Sequence, residues 1–230
     1  GGKGNSIIDM AGLGLKVPPA FVLGYPFFSS CWQEGLLGED QIALIEKKLK
    51  ELEEQSGRSL GDPDHPLILS VRSGAPHSMP GVMATILNVG LVPKVRAALE
   101  KRRGPHLTES IYRRFLKNCS AALALRGKRV LVVDVDPQGN STSGLGLNRD
   151  DGQLSVYDVL VNGAPIEDAV LPTQVEGLFA VPSAVKLAGA EVEMVSMERR
   201  EYIVKNALRK IRGGYDFIFM DCPPSLGLLT

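Results

Sequence analysis

The sequence predicts an α/β protein in two unlike parts that meet near residue 117. The earlier part has a hairpin pattern, with strands at 66–72 and 85–90 separated by a small-residue loop, which is typical of an α+β segment. The later part has two apolar strands, 129–134 and 215–221, each ending in Asp with helical patterns between them. Such strands favour a parallel sheet covered by helices. One long amphipathic helix joins the two parts.

Bulk properties narrow the class of protein. We call residues 1–117 the N-terminal segment and residues 118–230 the C-terminal segment. The hydrophobic fraction of 44% over 230 residues is enough for packed cores, and 26 Lys and Arg balance 26 Asp and Glu. This balance gives no general attraction to nucleic acid or to anionic membranes. No apolar run approaches the roughly 20 residues that cross a bilayer, so no membrane partner is expected.

The cysteines and the first residues predict the compartment. Three scattered cysteines (Cys31, Cys119 and Cys222) lack metal-site spacing, which indicates structural thiols in a reducing, cytoplasmic setting. The opening Gly-Gly-Lys-Gly does not resemble a signal peptide. The absence of an initiating Met predicts that the chain begins inside a longer parent.

The N-terminal segment predicts a helix, a strand and a second helix before the hairpin. Residues 5–14 have helical apolar spacing, and 17–23 form a proline-led turn into a strand. Residues 39–54 form an amphipathic helix whose Lys/Glu face is a solvated surface.

The hairpin loop is a candidate phosphate cradle. Arg72 ends the first strand, Gly74 and Gly81 free the backbone, and hydroxyl groups follow as far as Thr85. Arg supplies a fixed fork of donors, and small residues let backbone amides approach an anion. An ordinary surface hairpin is the alternative. Lys3 does not belong to a Walker A loop, because Gly4 follows it in place of Ser or Thr and no strand precedes it.

Residues 108–127 predict one continuous helix with an unbroken apolar stripe. Thr108 is a candidate cap at its start, and Gly127 suits the left-handed turn that ends a helix. After the strand 129–134 comes a turn over 136–146, which is Gly-rich at 136–140. The remaining helical patterns fall at 155–160, 184–195 and 198–211.

The two Asp-terminated strands predict a site. Acidic residues at the carboxyl edge of a parallel sheet are where Mg²⁺ and phosphates are often held. A single Asp in this position is an ordinary cap or turn residue. Two together favour a metal-nucleotide site.

Three stretches of the N-terminal segment resemble the nucleotide-binding region of pyruvate, phosphate dikinase in order and spacing. They are GGKGNSIIDMAGLGLKVPPAFVL, PLILSVRSGAPHSMPGVMATILNVGL and SIYRRFL. The resemblance implies a partial ATP-grasp fold that uses ATP and Mg²⁺. It also implies that Lys3 and Arg72 contact the phosphates, while Gly81, Met83 and Thr85 belong to a loop over the nucleotide. Ala84 departs from the usual Asp, and the second half of the ATP-grasp is missing.

The C-terminal segment resembles the ParA/Soj partition ATPases, relatives of MinD. The resemblance lies in NCSAALALRGKRVLVVDVDPQGNSTSGLGL, SVYDVL, VPSAVKLAGAEVEMVS and YDFIFMDCPPSLGLLT. It implies a truncated P-loop-NTPase-like sheet in which Asp136 orients the attacking water. Gln138 and Asn140 would shape the switch turn. Asp221 would hold Mg²⁺ through water.

The resemblance to ParA fails at the phosphate-binding loop. In ParA proteins the loop KGGVGKTT stands where this chain has residues 112–117, so Asp136 is expected to be idle. DNA contact is not carried over, because the family's DNA-contacting segments would follow Thr230. The sequence therefore predicts a chimera of two incomplete ATP-utilising domains, 1–117 and 118–230, without catalytic turnover.

Two alternatives remain. The N-terminal segment is an ATP-binding fragment of a dikinase-type phosphotransferase, or the C-terminal segment is a ParA-derived module that binds a nucleotide or pairs with an intact ParA-like chain.

Overall fold

The structure, a computed structural model, describes residues 2–24, 26–27, 37–72, 85–149 and 152–223. The side chains of residues 2–5 and of Glu191 are outside this description. The N-terminal elements are helix α1 (Gly2–Gly12), helix α2 (Glu39–Ser56), strand β1 (Leu69–Arg72), strand β2 (Thr85–Val89) and helix α3 (Pro93–Arg103).

The predicted hairpin is confirmed. Strands β1 and β2 pair antiparallel, with Leu69 opposite Val89 and Arg72 opposite Thr85. The register shifts between Leu69 and Val71, as at a β-bulge. The last described residue before the loop and the first one after it are therefore direct partners.

The predicted strand at 17–23 is wrong. Residues 15–24 form neither helix nor strand. Pro18 and Pro19 lack backbone N–H donors, so this stretch cannot supply a regular ladder of hydrogen bonds. Its apolar residues matched the pattern of a strand without the backbone donors that a strand needs.

Helix α4 (Pro105–Ala124) confirms that one continuous helix joins the two segments. It begins three residues earlier than predicted, because Gly104 is the cap residue and Pro105 takes the first helical position. Thr108 is thus not the cap: it lies buried in the first turn, where its hydroxyl donates to the carbonyl of Gly104 at 3.1 Å. Gly127 adopts the expected left-handed conformation, with φ 74°.

The C-terminal segment alternates strands and helices. In chain order its elements are strand β3 (Val130–Asp134), helix α5 (Asn140–Gly144), helix α6 (Val156–Leu160), strand β4 (Leu171–Pro172), strand β5 (Leu178–Val181), helix α7 (Leu187–Glu193), helix α8 (Ile203–Ile211) and strand β6 (Phe217–Asp221). Short 3₁₀ turns flank α7 and α8. The strands and helices predicted here are present, whereas α5, β4 and β5 are additional.

The predicted parallel sheet is confirmed. Its strand order is β4-β5-β3-β6, with β3 parallel to both β5 and β6, and β4 antiparallel to β5. The register pairs Asp134 with Asp221. Both carboxylates predicted for the site therefore stand at the same edge of the sheet.

Both faces of this sheet are covered. Leu131 and Val133 of β3 point into a core formed with residues of α6 and α7, with α8 packed against its margin. Val130 and Val132 point to the other face, where Ala124 of α4 contributes to the core. The near-continuous apolar sequence of β3 follows from burial on both sides.

Contacts also link the N-terminal segment to the sheet edge. The side-chain amide of Asn88, in β2, donates to the carbonyl of Ile111, in α4, at 3.0 Å. The guanidinium of Arg96, in α3, donates to the carbonyl of Cys222 at 3.0 Å. Residues of the N-terminal segment thus reach the end of β6. Within the described part of the chain, no helix is long and apolar enough to cross a membrane.

Candidate functional site

Three buried aspartates gather at the carboxyl edge of the sheet. Asp134 and Asp221 end neighbouring parallel strands, and Asp136 follows two residues after β3. Their exposed fractions are 1%, 0% and 2%. Buried carboxylates are costly unless they are hydrogen-bonded or paired with a cation, so the partners of each oxygen indicate its role.

Asp134 holds the start of α5. One of its oxygens accepts hydrogen bonds from the backbone N–H and the hydroxyl of Thr142, both at 2.7 Å. The other accepts from the backbone N–H of Asp136 at 3.2 Å. Burial raises the pKa of Asp134, although the bonds from Thr142 oppose that rise. With both oxygens engaged, Asp134 is a structural carboxylate.

Asp221 has one oxygen engaged and one without a partner. Oδ2 accepts a hydrogen bond from the hydroxyl of Ser141 at 2.6 Å, whereas buried Oδ1 has no hydrogen bond among the described residues. Burial raises the pKa of Asp221 from 3.8 to about 7; the bond from Ser141 lowers it, and the negative charge of Asp134 raises it further. A bound cation would neutralise this carboxylate.

The donor set fits Mg²⁺, which the resemblance implied. Mg²⁺ is usually held by one or two carboxylates together with waters and substrate phosphates. The free oxygen of Asp221 meets that need without an all-protein cage. The described residues contain no group of three or more His, Cys, Asp or Glu side chains arranged to hold a metal.

Asp136 is paired with an arginine from the N-terminal segment. Its Oδ1 accepts from the backbone N–H of Gln138 at 2.9 Å, which closes the turn after β3. Its Oδ2 accepts from the Nη2 of Arg113 at 3.3 Å. The carboxylate expected to orient water is therefore engaged by a guanidinium group on α4.

The pairing of Arg113 belongs to a larger ion-pair network that sequence analysis missed. Glu109, buried on α4, accepts from Arg113 Nε at 3.0 Å and from Arg96 Nη2 at 2.7 Å. The guanidinium of Arg96 also lies 4.1 Å from the ring centroid of Tyr112. The spacing of Glu109 and Arg113, four residues apart on a predicted helix, was the available signal.

The remaining predicted residues of the switch turn lie nearby. Gln138 is exposed, and half-buried Asn140 begins α5. Gly139 between them has φ 61°, a left-handed conformation that suits glycine. A turn is thus present at 136–140, whereas its role as a switch and the ligand contacts of Gln138 and Asn140 stay predictions.

The residues predicted for the N-terminal segment are only partly described. Exposed Arg72 and half-buried Thr85 are brought together by the hairpin register. The backbone of Lys3 lies in α1, and its side chain is outside the described set. Gly81 and Met83 also lie outside the described residues. Their contacts with ATP stay a prediction.

A cavity of about 390 Å³ in the N-terminal segment lies apart from these residues. It is formed by residues 20–24, Phe27 and α2, and none of the predicted site residues lines it. Its two charged side chains, Lys48 and Glu51, pair with each other at 2.7 Å. This cavity therefore offers no free charge to a ligand.

Curated relatives match the C-terminal segment. The sporulation initiation inhibitor protein Soj of Bacillus subtilis is 52% identical over 113 residues, or 49% of this chain and 45% of the relative. The chromosome partitioning protein ParA of Myxococcus xanthus is 47% identical, covering 49% of this chain and 40% of the relative. The chromosome-partitioning ATPase Soj of Treponema pallidum is 50% identical, with coverage of 49% and 44%.

This chain thus spans less than half the length of these relatives. The predicted resemblance of the C-terminal segment to ParA/Soj proteins is confirmed. None of these matches tests the resemblance of the N-terminal segment to pyruvate, phosphate dikinase, which stays a prediction. A family profile described as AAA domain matches residues 116–230. Through this half of its length, the chain belongs to the AAA domain family.

Proposed function

We propose that the C-terminal segment is a ParA/Soj-derived module that binds Mg-ATP without turning it over. The relatives it matches include a protein named as an ATPase. Asp221 would take the metal ion at its free oxygen, with Ser141 orienting the carboxylate through Oδ2. The cation would supply charge neutralisation for the phosphates.

The observation that carries this proposal is the buried Oδ1 of Asp221, which has no hydrogen-bond partner among the described residues. Buried polar atoms nearly always have a hydrogen-bond partner, and a missing partner calls for an explanation. A carboxylate with 0% exposure and a pKa raised to about 7 is costly in its charged form. A bound divalent cation would supply a partner for Oδ1 and would compensate the charge of the carboxylate.

Helix α4 supports the proposed absence of turnover. Phosphoryl transfer depends on positioning and charge stabilisation by a phosphate-holding loop. Residues 112–117 lie inside α4, so their backbone N–H groups point along the helix and bond within it. Asp136 is also paired with Arg113, which competes with a water for its carboxylate. The chimera of two incomplete ATP-utilising domains is thus retained as part of this proposal.

The test is calorimetric titration with Mg-ATP, together with an assay of phosphate release. We expect saturable binding by the intact chain and no release above background. Asp221→Asn should weaken binding by roughly tenfold or more, about 1.4 kcal/mol. Because the metal binds the deprotonated carboxylate, affinity should rise between about pH 6 and about pH 8 in the intact chain. The matched control is Asp216→Asn, because Asp216 is partly exposed and immediately precedes β6.

Two results would contradict the proposal. Equal affinity of the intact chain and Asp221→Asn would remove the metal role of Asp221. Phosphate release that disappears in Asp136→Asn would show turnover.

A second candidate is supported by the pairing of Arg72 with Thr85 across the hairpin. Exposed Arg72 and half-buried Thr85 are the described residues on either side of the predicted phosphate loop, which supports this candidate. In this candidate the N-terminal segment binds ATP as a partial ATP-grasp. Loss of Mg-ATP binding in Arg72→Ala but not in Asp221→Asn would favour it, and the opposite result would exclude it.

A further inference from the structure

A cationic cavity lies between α4 and α5. Its volume is about 260 Å³. Three basic side chains line it, Arg113, Arg114 and Lys117, together with the polar residues Asn140 and Ser141. None of its lining residues is acidic. The positions on α4 recur at steps of three and four residues, so they share one face of the helix. The cavity thus presents a net positive wall.

Two of the three basic groups have no counter-charge. Arg114 and Lys117 are exposed, and neither makes an ion pair within the described part of the chain. Lys117 also stands four residues after Arg113, a spacing at which like charges on a helix destabilise it. An anion in the cavity would relieve this repulsion. Asn140, the first residue of α5, also lines the cavity, and its side-chain amide can donate a hydrogen bond.

The carboxylates that reach the cavity wall do not cancel its charge. Glu109 and Asp136 are both paired with Arg113, the third basic group. Asp221 contacts the lining residue Ser141, from whose hydroxyl it accepts a hydrogen bond. None of these three acidic residues lines the cavity itself. The charge on Arg114 and Lys117 therefore stays available to a ligand.

We propose that this cavity binds a small phosphate anion of the size of pyrophosphate, held by Arg114, Lys117 and Asn140. The cavity is smaller than the roughly 300–1,000 Å³ pockets that enclose drug-sized ligands, which favours a small polyanion over a complete nucleotide. Guanidinium and ammonium groups form charge-assisted hydrogen bonds with phosphate oxygens. This site goes beyond the proposed Mg-ATP function, because it needs neither the metal ion nor Asp221.

The test is titration of the intact chain with inorganic pyrophosphate in the presence of EDTA. We expect saturable binding that weakens by roughly tenfold or more in Arg114→Ala/Lys117→Ala, about 1.4 kcal/mol. The matched control is Arg103→Ala/Arg126→Ala, which removes two exposed basic side chains outside the cavity. Circular dichroism checks that both double variants keep the helical content of the intact chain.

The outcomes separate this site from the Mg-ATP site. Asp221→Asn should leave pyrophosphate binding in EDTA unchanged, even where it abolishes Mg-ATP binding. Replacing pyrophosphate by a monophosphate or by ATP shows which phosphate source the cavity prefers. The proposal is overturned if the intact chain shows no saturable binding of pyrophosphate, or if both double variants lose affinity equally.

Discussion

Asp221 ends β6 with one oxygen bonded to Ser141 and the other buried without a described partner. Its raised pKa makes the stability of the fold depend on pH. The unfolded carboxyl ionises near its ordinary value of 3.8, whereas the folded one ionises near about 7. Between those values the folded state binds more protons than the unfolded state, so stability falls as pH rises.

Asp221→Asn should remove this part of the pH dependence. The intact chain is expected to lose stability between about pH 4 and about pH 7, at up to about 1.4 kcal/mol per pH unit from this group. The variant has no proton to lose at this position, so its slope should be flatter by that amount. Urea unfolding at a series of pH values, without divalent cations, measures both slopes.

Asp216→Asn is the control for that series, because its carboxyl is 43% exposed. The same slope in the intact chain and in Asp221→Asn would show that Asp221 ionises normally in the fold.

The sequence predicted that the carboxylates of Asp134 and Asp221 lie at the same edge of the sheet. It did not predict the hydrogen-bond partners of each carboxylate. Two apolar strands that end in Asp were enough to place Asp134 and Asp221 at one edge of the sheet. The two carboxylates differ because Thr142 bonds to Asp134 and Ser141 bonds to Asp221. Both residues lie in the short helix α5, where the sequence predicted a turn. The pairing of Arg113 with Asp136 spans 23 residues and depends on the packing of α4, which periodicity does not reveal.

At the scale of elements, Glu109 links α4 to α3 through a buried ion pair. Its side chain is 7% exposed and bonds to both Arg96 and Arg113. Breaking a buried ion pair by removing one partner is strongly destabilising, because a buried charge is left without compensation. An exposed pair contributes little by comparison.

Glu109→Gln should therefore destabilise the fold by about 3 kcal/mol. Glu51→Gln is the matched control: the side chains of Lys48 and Glu51 are 41% and 40% exposed, so the loss of their pair should cost much less. Urea unfolding gives both free energies. Glu109→Leu/Arg96→Met, which removes both charges, should recover much of the loss; failure of Glu109→Gln to exceed the control would contradict a structural role for this network.

Predicted elements were confirmed where the apolar residues follow the pattern of a helix or strand. They were wrong or missed where strand pairing decides whether a strand forms. The strand patterns at 129–134 and 215–221 were confirmed within two residues. Strand β3 is buried throughout, as its apolar run predicted, whereas the residues of β6 before Asp221 are exposed or half-buried. The pattern at 17–23 was equally apolar, yet no strand forms there. Strand β5 was missed because four residues give too short a pattern, although it is the parallel neighbour of β3.

At the scale of the whole molecule, α4 joins the two segments physically. Its first half bonds to β2 through Asn88, and its last turn packs on the sheet through Ala124. Arg96 adds a direct link from α3 to the end of β6. Local helix propensity predicted the continuity of α4 but not these contacts, which arise from residues far apart in the chain. We expect the two segments to unfold together.

Leu116→Ala tests this expectation, because Leu116 lies in α4 at the junction with only 2% exposure. Truncating a buried Leu should cost about 2–5 kcal/mol. Trp32, the only tryptophan, belongs to the N-terminal segment by sequence and lies outside the described residues. If the segments are coupled, its fluorescence and the far-ultraviolet circular dichroism of the whole chain should shift to lower urea by the same amount. Leu125→Ala, at a position with 58% exposure, should shift neither signal appreciably. Separate midpoints for the two signals, or a shift in only one of them, would show that the segments unfold independently and that α4 joins them only in sequence.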